Sequence, residues 1–209
     1  MKAPNWSRAI VVCVASGPSL LKEDVELVRV RHAAGACRVI AINREFETAP
    51  WADVLYASDY HFWREYIDDI RALFKGAAWT IDARAAHQVK LGLLKRGVGE
   101  GLATAADTIN TGGNSGYQAA HLAASWGASR IVLLGYDMQS TDGKEHHYGK
   151  HRARLPNGRG FKSWIPRFAP LMRDLTGKGV SVINATRETA IPESLIPRAS
   201  LHDQLEIAV

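Results

Sequence analysis

A glycine-rich loop followed by a helix and a strand constrains the fold of this chain more than any other feature. The loop spans 110–116 and holds three glycines among Asn, Thr and Ser residues. The apolar run 117–126 predicts a helix, and the run 130–134 predicts a buried strand. Glycine allows a sharp turn, and a helix start carries partial positive charge, so the pattern favours an anion such as phosphate. A plain turn with a helix N-cap has the same pattern, and both interpretations stay open.

Short apolar segments alternate with amphipathic segments along the whole chain. The pattern predicts strands at 9–15, 38–42, 53–57, 78–81, 130–134 and 179–183. It predicts helices at 60–74, 85–95, 117–126 and 164–175. This alternation is typical of a mostly parallel sheet with helices on both faces. We therefore predict an α/β, Rossmann-like fold in a single domain over 1–209.

The charge of the chain favours an anionic partner. The 209 residues carry a net charge of +5, which suits a nucleotide, a phosphorylated sugar or nucleic acid. Six of the cations and three histidines lie within 144–162, a segment with Gly, Pro and Asn, which predicts a short, exposed basic lid loop at 138–162. No apolar run is long enough for a membrane span, and the start lacks a secretory signal pattern, which predicts a cytoplasmic protein.

Ligands of parallel sheets bind beyond the carboxyl ends of the strands. Small or hydrogen-bonding residues follow the predicted strands here: Ser16, Gly17, Pro18, Ser19, Asn43, Ser58, Asp59, Gly135, Tyr136 and Asp137. With Asn114, Ser115 and Gly116 of the loop, they form a candidate site for a ligand with sugar and base edges. Helix N-caps or turns are the alternative roles for Ser19, Ser58, Asp59 and Asn43.

Two common nucleotide-binding motifs are absent from the sequence. It contains no G-x-x-x-x-G-K-S/T motif, and no G-x-G-x-x-G motif follows the first strand. These absences argue against P-loop kinases and NAD-dependent enzymes.

Several motifs, in this order, resemble the bacterial sialyltransferases of glycosyltransferase family 42. They are Gly-Pro-Ser-Leu at 17–20, Asn43, Asn-Ser-Gly at 114–116, Gly-Tyr-Asp at 135–137, and His147-Tyr148 with His151. The start at 17–20, Ser58-Asp59 and the strand end also resemble archaeal-type 6-hydroxymethylpterin diphosphokinases. The run 52–63 is similar to uncharacterised phage and prophage proteins.

The sialyltransferase resemblance implies a CMP-sugar donor and no metal requirement. It implies that the 17–19 loop, Asn43 and the 114–116 loop surround the nucleotide. It also implies that His151 is the general base, which suits an imidazole near neutral pH. The acceptor would be a glycan or another hydroxyl compound, and the basic loop extends this to nucleic acid.

Tyr148, Lys150 and Arg152 are the predicted contacts of the departing phosphate. The chain departs from the family at Ser16, where the family has Asn. It also has a much shorter segment between Asp137 and His151, without the family's lid tyrosines.

Two other function classes stay open, as does the oligomeric state. A diphosphokinase-like enzyme that uses ATP would bind magnesium through Asp59 and Asp137. A non-enzymatic nucleic-acid-binding protein would fit the pI near 9.3. A metal site that combines His146, His147 and His151 with Asp137 or Asp142 is a weaker hypothesis. We expect Trp63, Trp126 and Trp164 in the core.

Overall fold

A seven-stranded, fully parallel sheet forms the centre of the structure, a computed structural model that describes residues 1–149, Arg152 and 160–205. The seven strands are β1 (Ile10–Val14), β2 (Arg38–Ile42), β3 (Val54–Tyr56), β4 (Ala77–Thr80), β5 (Gly92–Leu93), β8 (Arg130–Leu134) and β9 (Ser181–Asn184). Their order in the sheet is β5-β4-β3-β2-β1-β8-β9. A separate parallel pair consists of β6 (Lys95–Gly97) and β7 (Thr108–Asn110).

Helices cover both faces of the sheet and create two apolar cores. They are α1 (Lys22–Ala33), α2 (Tyr60–Leu73), α3 (Ala83–Val89), α4 (Ser115–Ser125), α5 (Phe161–Trp164), α6 (Phe168–Gly177) and α7 (Leu201–Leu205). Alternate residues of β1 point to opposite faces, so Val12 joins the core under α1 and α2, whereas Val11 joins the core under α4 and α6. The predicted α/β fold with a parallel sheet is confirmed.

The strand order places a crevice between β1 and β8. From β1 the chain adds β2, β3, β4 and β5 on one side, then returns through α4 to place β8 on the other side. The connections on the two sides leave the sheet in opposite directions, so the carboxyl ends of β1 and β8 are left uncovered between them. This topological switch point is where a ligand of such a sheet binds.

The helices predicted at 60–74 and 117–126 match α2 and α4 to within two residues at each end, whereas the other two predicted helices differ more. The helix predicted at 85–95 ends at Val89, because Lys90 adopts a left-handed conformation with φ 62° and the chain then enters β5 and β6. The helix predicted at 164–175 is divided by a 3-10 turn at Ile165–Arg167, since Pro166 has no N–H to donate. The loop predicted to extend to 162 ends where α5 begins.

None of the helices in the described part of the chain has the length and apolar character needed to cross a membrane.

Candidate functional site

A cavity of about 250 Å³ lies at the switch point between β1 and β8. It gathers residues that follow β1, β2, β3 and β8 with the start of α4. All the predicted nucleotide-binding residues except Pro18 and Ser19 line it: Ser16, Gly17, Asn43, Ser58, Asp59, Asn114, Ser115, Gly116, Gly135, Tyr136 and Asp137. The structure thus brings together side chains that are up to 121 positions apart, Ser16 and Asp137.

The loops after β1 and β8 approach each other closely at the base of the cavity. The Gly17 N–H donates to the Gly135 carbonyl oxygen at 2.8 Å. A Cβ on Gly17 would lie 1.8 Å from Asp137 Oδ1 and 2.5 Å from the Gly135 oxygen. Gly135 itself adopts a left-handed φ of 73°. Both positions therefore require glycine, for space at Gly17 and for conformation at Gly135.

Asp137 is a buried carboxylate that lines this cavity and is only 1% exposed. The Ser19 N–H donates to its Oδ2 at 2.8 Å. Its Oδ1 is buried and has no hydrogen-bond partner within 1–149, 152 and 160–205. Burial raises the pKa of Asp137, the Glu188 carboxylate raises it further, and hydrogen bonds from Ser19 oppose this shift. A ligand hydroxyl or amine that donates to Oδ1 would stabilise the charged carboxylate.

Asp137→Asn is expected to stabilise the ligand-free protein at neutral pH. The folded protein binds the Asp137 proton more tightly than the unfolded chain, so its free energy of unfolding falls as the pH rises from the ordinary carboxyl pKa of 3.8 through the raised value. An uncharged amide at position 137 does not titrate, so the variant does not lose this part of the free energy of unfolding. Urea unfolding at pH 4 and pH 7 should show that the variant's stability relative to wild type is greater at pH 7.

Asp68→Asn is the control for this measurement, because the Asp68 side chain is 96% exposed and its charge is solvated in both states. The control should show little difference between the two pH values. If Asp137→Asn followed the same pattern as Asp68→Asn, the carboxylate would not be the destabilised group that the burial indicates.

The start of α4 forms a second wall of the cavity. Asn114 is its N-cap, with Oδ1 accepting from the Tyr117 N–H at 2.8 Å. The Asn114 Nδ2 is buried and has no hydrogen-bond partner in the described part of the chain. Gly112 and Gly113 precede it with φ of 53° and 84°, and the Ser115 hydroxyl lies 3.3 Å from the Ser58 hydroxyl across the cavity. Asn114 is therefore a helix cap whose amide nitrogen has no partner among the described residues.

Three predicted site residues also have structural roles. Asp59 is the N-cap of α2 and accepts from the His61 N–H at 2.6 Å. Asn43 opens a 3-10 turn with a left-handed φ of 55°. The Tyr136 hydroxyl donates to the Gly116 carbonyl oxygen at 2.9 Å, and burial raises its pKa well above its ordinary value. Tyr136 thus connects the end of β8 to the start of α4.

The neighbouring side chains of His146 and His147 point in different directions. His146 lines the cavity, with Nδ1 2.8 Å from the Ser16 hydroxyl and its ring stacked on Tyr148 at 5.0 Å. His147 points elsewhere, with Nε2 2.9 Å from Glu45 Oε1. Tyr148 lies behind His146 against the Arg44 guanidinium at 4.1 Å, and burial raises its pKa above its ordinary value. Among the residues that the structure describes, His146 is the histidine that lines this cavity, and the sequence did not predict it to be catalytic.

The predicted phosphate contacts are placed less favourably. Arg152 donates to Asp69 on α2 at 2.6 Å, and its N–H donates to the Tyr66 hydroxyl at 3.1 Å. Arg152 therefore lies at α2 and does not line the cavity. The predicted base His151 and the predicted cation Lys150 lie outside the described residues.

An aromatic pair at the cavity was missed by the sequence. Phe161 and Trp164 of α5 line the cavity, and their rings meet edge to face at 5.7 Å. The prediction of a core position is correct for Trp63 and Trp126 but wrong for Trp164, which is only partly buried. Pro166, two residues after Trp164, interrupts the helix. This proline was the sequence signal that Trp164 does not share the core-facing side of the following helix.

Arg167 supplies a cation beside the glycine-rich loop. A Cβ on Gly113 would lie 2.8 Å from Arg167 Nη1, so the guanidinium packs against the residue that precedes Asn114. The positive end of α4 and this guanidinium therefore both lie beside the glycine-rich loop, although Arg167 itself is exposed and does not line the cavity.

No group of three or more His, Cys, Asp or Glu side chains is arranged to hold a metal ion within the ranges that the structure describes. The chain matches no protein-family model, and no curated protein matches it either.

Proposed function

We propose that this protein is a nucleotide-sugar-dependent glycosyltransferase of the sialyltransferase type, with a CMP-sugar as its donor. One observation carries the proposal: Asp137 and Asn114 both line the switch-point cavity, and a buried carboxylate oxygen of Asp137 and a buried amide nitrogen of Asn114 have no hydrogen-bond partner among the described residues. Buried polar groups without partners are costly unless a ligand satisfies them. One acceptor and one donor in a single cavity suit a polar ligand with both kinds of group.

The walls of the cavity fit the parts of a nucleotide. The start of α4, with Arg167 beside Gly113, favours the phosphate. Phe161 and Trp164 offer flat apolar rings for a base or a sugar. Ser16 and Ser58 offer hydroxyls that donate and accept.

In the proposed reaction the acceptor oxygen attacks the anomeric carbon of the donor sugar. The bond from that carbon to the phosphate oxygen breaks, and CMP departs with the bonding electron pair. His151 accepts the proton of the acceptor hydroxyl, as the family resemblance implies. Arg167 and the positive end of α4 stabilise the phosphate charge without a metal ion.

A magnesium-dependent diphosphokinase is the second candidate, because three carboxylates line the same cavity: Asp59, Asp137 and Glu145. Carboxylates of this kind bind magnesium together with substrate phosphates. Asp59 Oδ1 is already bound to the His61 N–H at the start of α2, which leaves less of this side chain for a metal ion. We therefore place this candidate second.

Calorimetric titration with CMP, CDP, UDP, GDP and ATP, each in EDTA and then in magnesium, tests the proposal. We expect cytidine nucleotides to bind in EDTA. ATP binding that requires magnesium would replace the proposal with the diphosphokinase. No nucleotide binding, together with salt-sensitive DNA binding, would replace it with a nucleic-acid-binding protein.

Asn114→Ala is expected to weaken CMP binding by about ten- to a hundredfold, since a buried hydrogen bond to a charged group contributes roughly 1.5–3 kcal/mol. Asp82→Ala is the matched control, because Asp82 caps α3 in the same way, by accepting from the Ala85 N–H, and does not line the cavity. Both variants should lose about 1 kcal/mol of stability through the lost cap. Equal CMP affinity in the two variants would show that the glycine-rich loop is not part of the nucleotide-binding site.

A further inference from the structure

A second cavity of about 320 Å³ lies beside the first. The start of α1 forms one side through Leu20, Leu21 and Val25, and the segment after the 3-10 turn forms the other through Thr48 and Trp51. Apart from Leu20, which ends the Gly-Pro-Ser-Leu motif at 17–20, these residues belong to none of the sequence motifs discussed above.

The two cavities share a wall made of two consecutive histidines, His146 and His147, and one loop residue, Ser16. His146 lines the first cavity and His147 lines the second. Ser16 contacts both histidines, because its hydroxyl lies 2.8 Å from His146 Nδ1 and its carbonyl oxygen accepts from the His147 N–H at 3.0 Å. A ligand in the second cavity therefore lies next to a ligand in the first.

The lining of the second cavity combines an apolar face with hydrogen-bonding groups. Leu20 and Val25 are buried beneath it, and the partly buried Trp51 adds a flat ring. Lys22, Glu47 and Thr48 supply charged and hydroxyl groups around this face. A pyranose ring has the matching form, with C–H groups on its faces and hydroxyls on its edge.

The imidazole of His147 is held in place by a fully buried carboxylate. Glu45 has 0% exposure, and its two oxygens are shared between His147 Nε2 and the Thr48 hydroxyl. This pairing explains why a carboxylate is retained in the interior. It also directs one polar side chain into the second cavity with a constrained orientation, which suits recognition of a hydroxyl group.

We propose that the second cavity binds the pyranoside acceptor, with Trp51 against one face of the sugar ring and His147 hydrogen-bonded to a hydroxyl. Its assignment as the acceptor site rests on the proposed glycosyltransferase function. The binding of a pyranoside at Trp51 does not rest on it and is tested separately.

The test is a titration of tryptophan fluorescence with methyl glycosides of galactose, glucose and N-acetylglucosamine. Leu21→Trp fills the cavity from a position that is 44% exposed, and Leu73→Trp adds the same ring at a position that is 46% exposed and lines neither cavity. We expect saturable binding of at least one glycoside to wild type and Leu73→Trp, none to Leu21→Trp, and about three- to tenfold weaker binding to His147→Gln. Trp51→Phe should lose the fluorescence change.

The two proposals fail in different ways. If cytidine nucleotides bind but no glycoside gives a saturable change, or Leu21→Trp and Leu73→Trp behave alike, the second cavity is not a pyranoside site. If a glycoside binds with the expected variant pattern but no nucleotide binds, the pyranoside site stands and the glycosyltransferase function fails. CMP affinity should be the same in Leu21→Trp as in wild type, because Leu21 does not line the first cavity.

Discussion

Gly17→Ala is expected to reduce CMP affinity by at least about tenfold and to lower the free energy of unfolding by roughly 1–3 kcal/mol, the range for overpacking a close contact. The added Cβ would lie 1.8 Å from Asp137 Oδ1 and 2.5 Å from the Gly135 carbonyl oxygen. To relieve the overlap, the loops after β1 and β8 must separate, and this displaces Asp137 in the cavity. Calorimetric titration with CMP measures the first effect, and chemical unfolding measures the second.

Gly177→Ala is the matched control, because a Cβ on Gly177 meets no atom within 4 Å and this glycine ends α6. Alanine there should leave CMP binding unchanged and leave stability equal or slightly higher, since glycine is the weaker helix former. If Gly17→Ala bound CMP as tightly as Gly177→Ala does, the contact between the two loops would have no part in the binding site.

His151→Ala is expected to lower turnover of a CMP-sugar by about 10²–10⁴-fold, the usual contribution of a general base, while CMP binding changes little. The proton of the acceptor hydroxyl would lose its acceptor, whereas the cavity walls that hold the nucleotide would be unchanged. Initial rates of CMP release in the presence of an acceptor measure turnover, and calorimetry measures binding.

His87→Ala provides the control, since His87 is exposed on α3 and does not line the cavity. His146→Ala separates two assignments of the base. A normal rate in His151→Ala together with a large loss in His146→Ala would transfer the role to His146, which lines the cavity beside Ser16.

The strands were the most predictable part of this protein. The predicted strand 38–42 has the bounds of β2, and the strand predicted at 53–57 contains β3 with one extra residue at each end. Strands buried on both faces are continuous apolar runs, so local composition alone identifies them. The helix predicted at 85–95 is correct over 85–89 and wrong beyond it, because the short strands β5 and β6 gain pairing partners that are distant in sequence.

The candidate site was predictable as a set of positions but not as an arrangement. Residues at strand ends must share one edge of a parallel sheet, so the sequence led to Asn43, Ser58 and Asp137 without any knowledge of contacts. The aromatic pair Phe161 and Trp164 lies on a short helix whose direction follows from packing, and no local pattern distinguishes such rings from core residues.

By itself, the sequence determined the alternation of strands and helices, the glycine-rich start of α4 and the polar residues that end the strands, because each depends on neighbours along the chain. Only the tertiary structure decided which polar groups remain without a partner. Asp59 became a helix cap and Tyr136 bound the Gly116 carbonyl oxygen, whereas Asp137 Oδ1 kept no partner among the described residues. The physical reason is that burial and hydrogen bonding depend on groups brought together from distant parts of the chain.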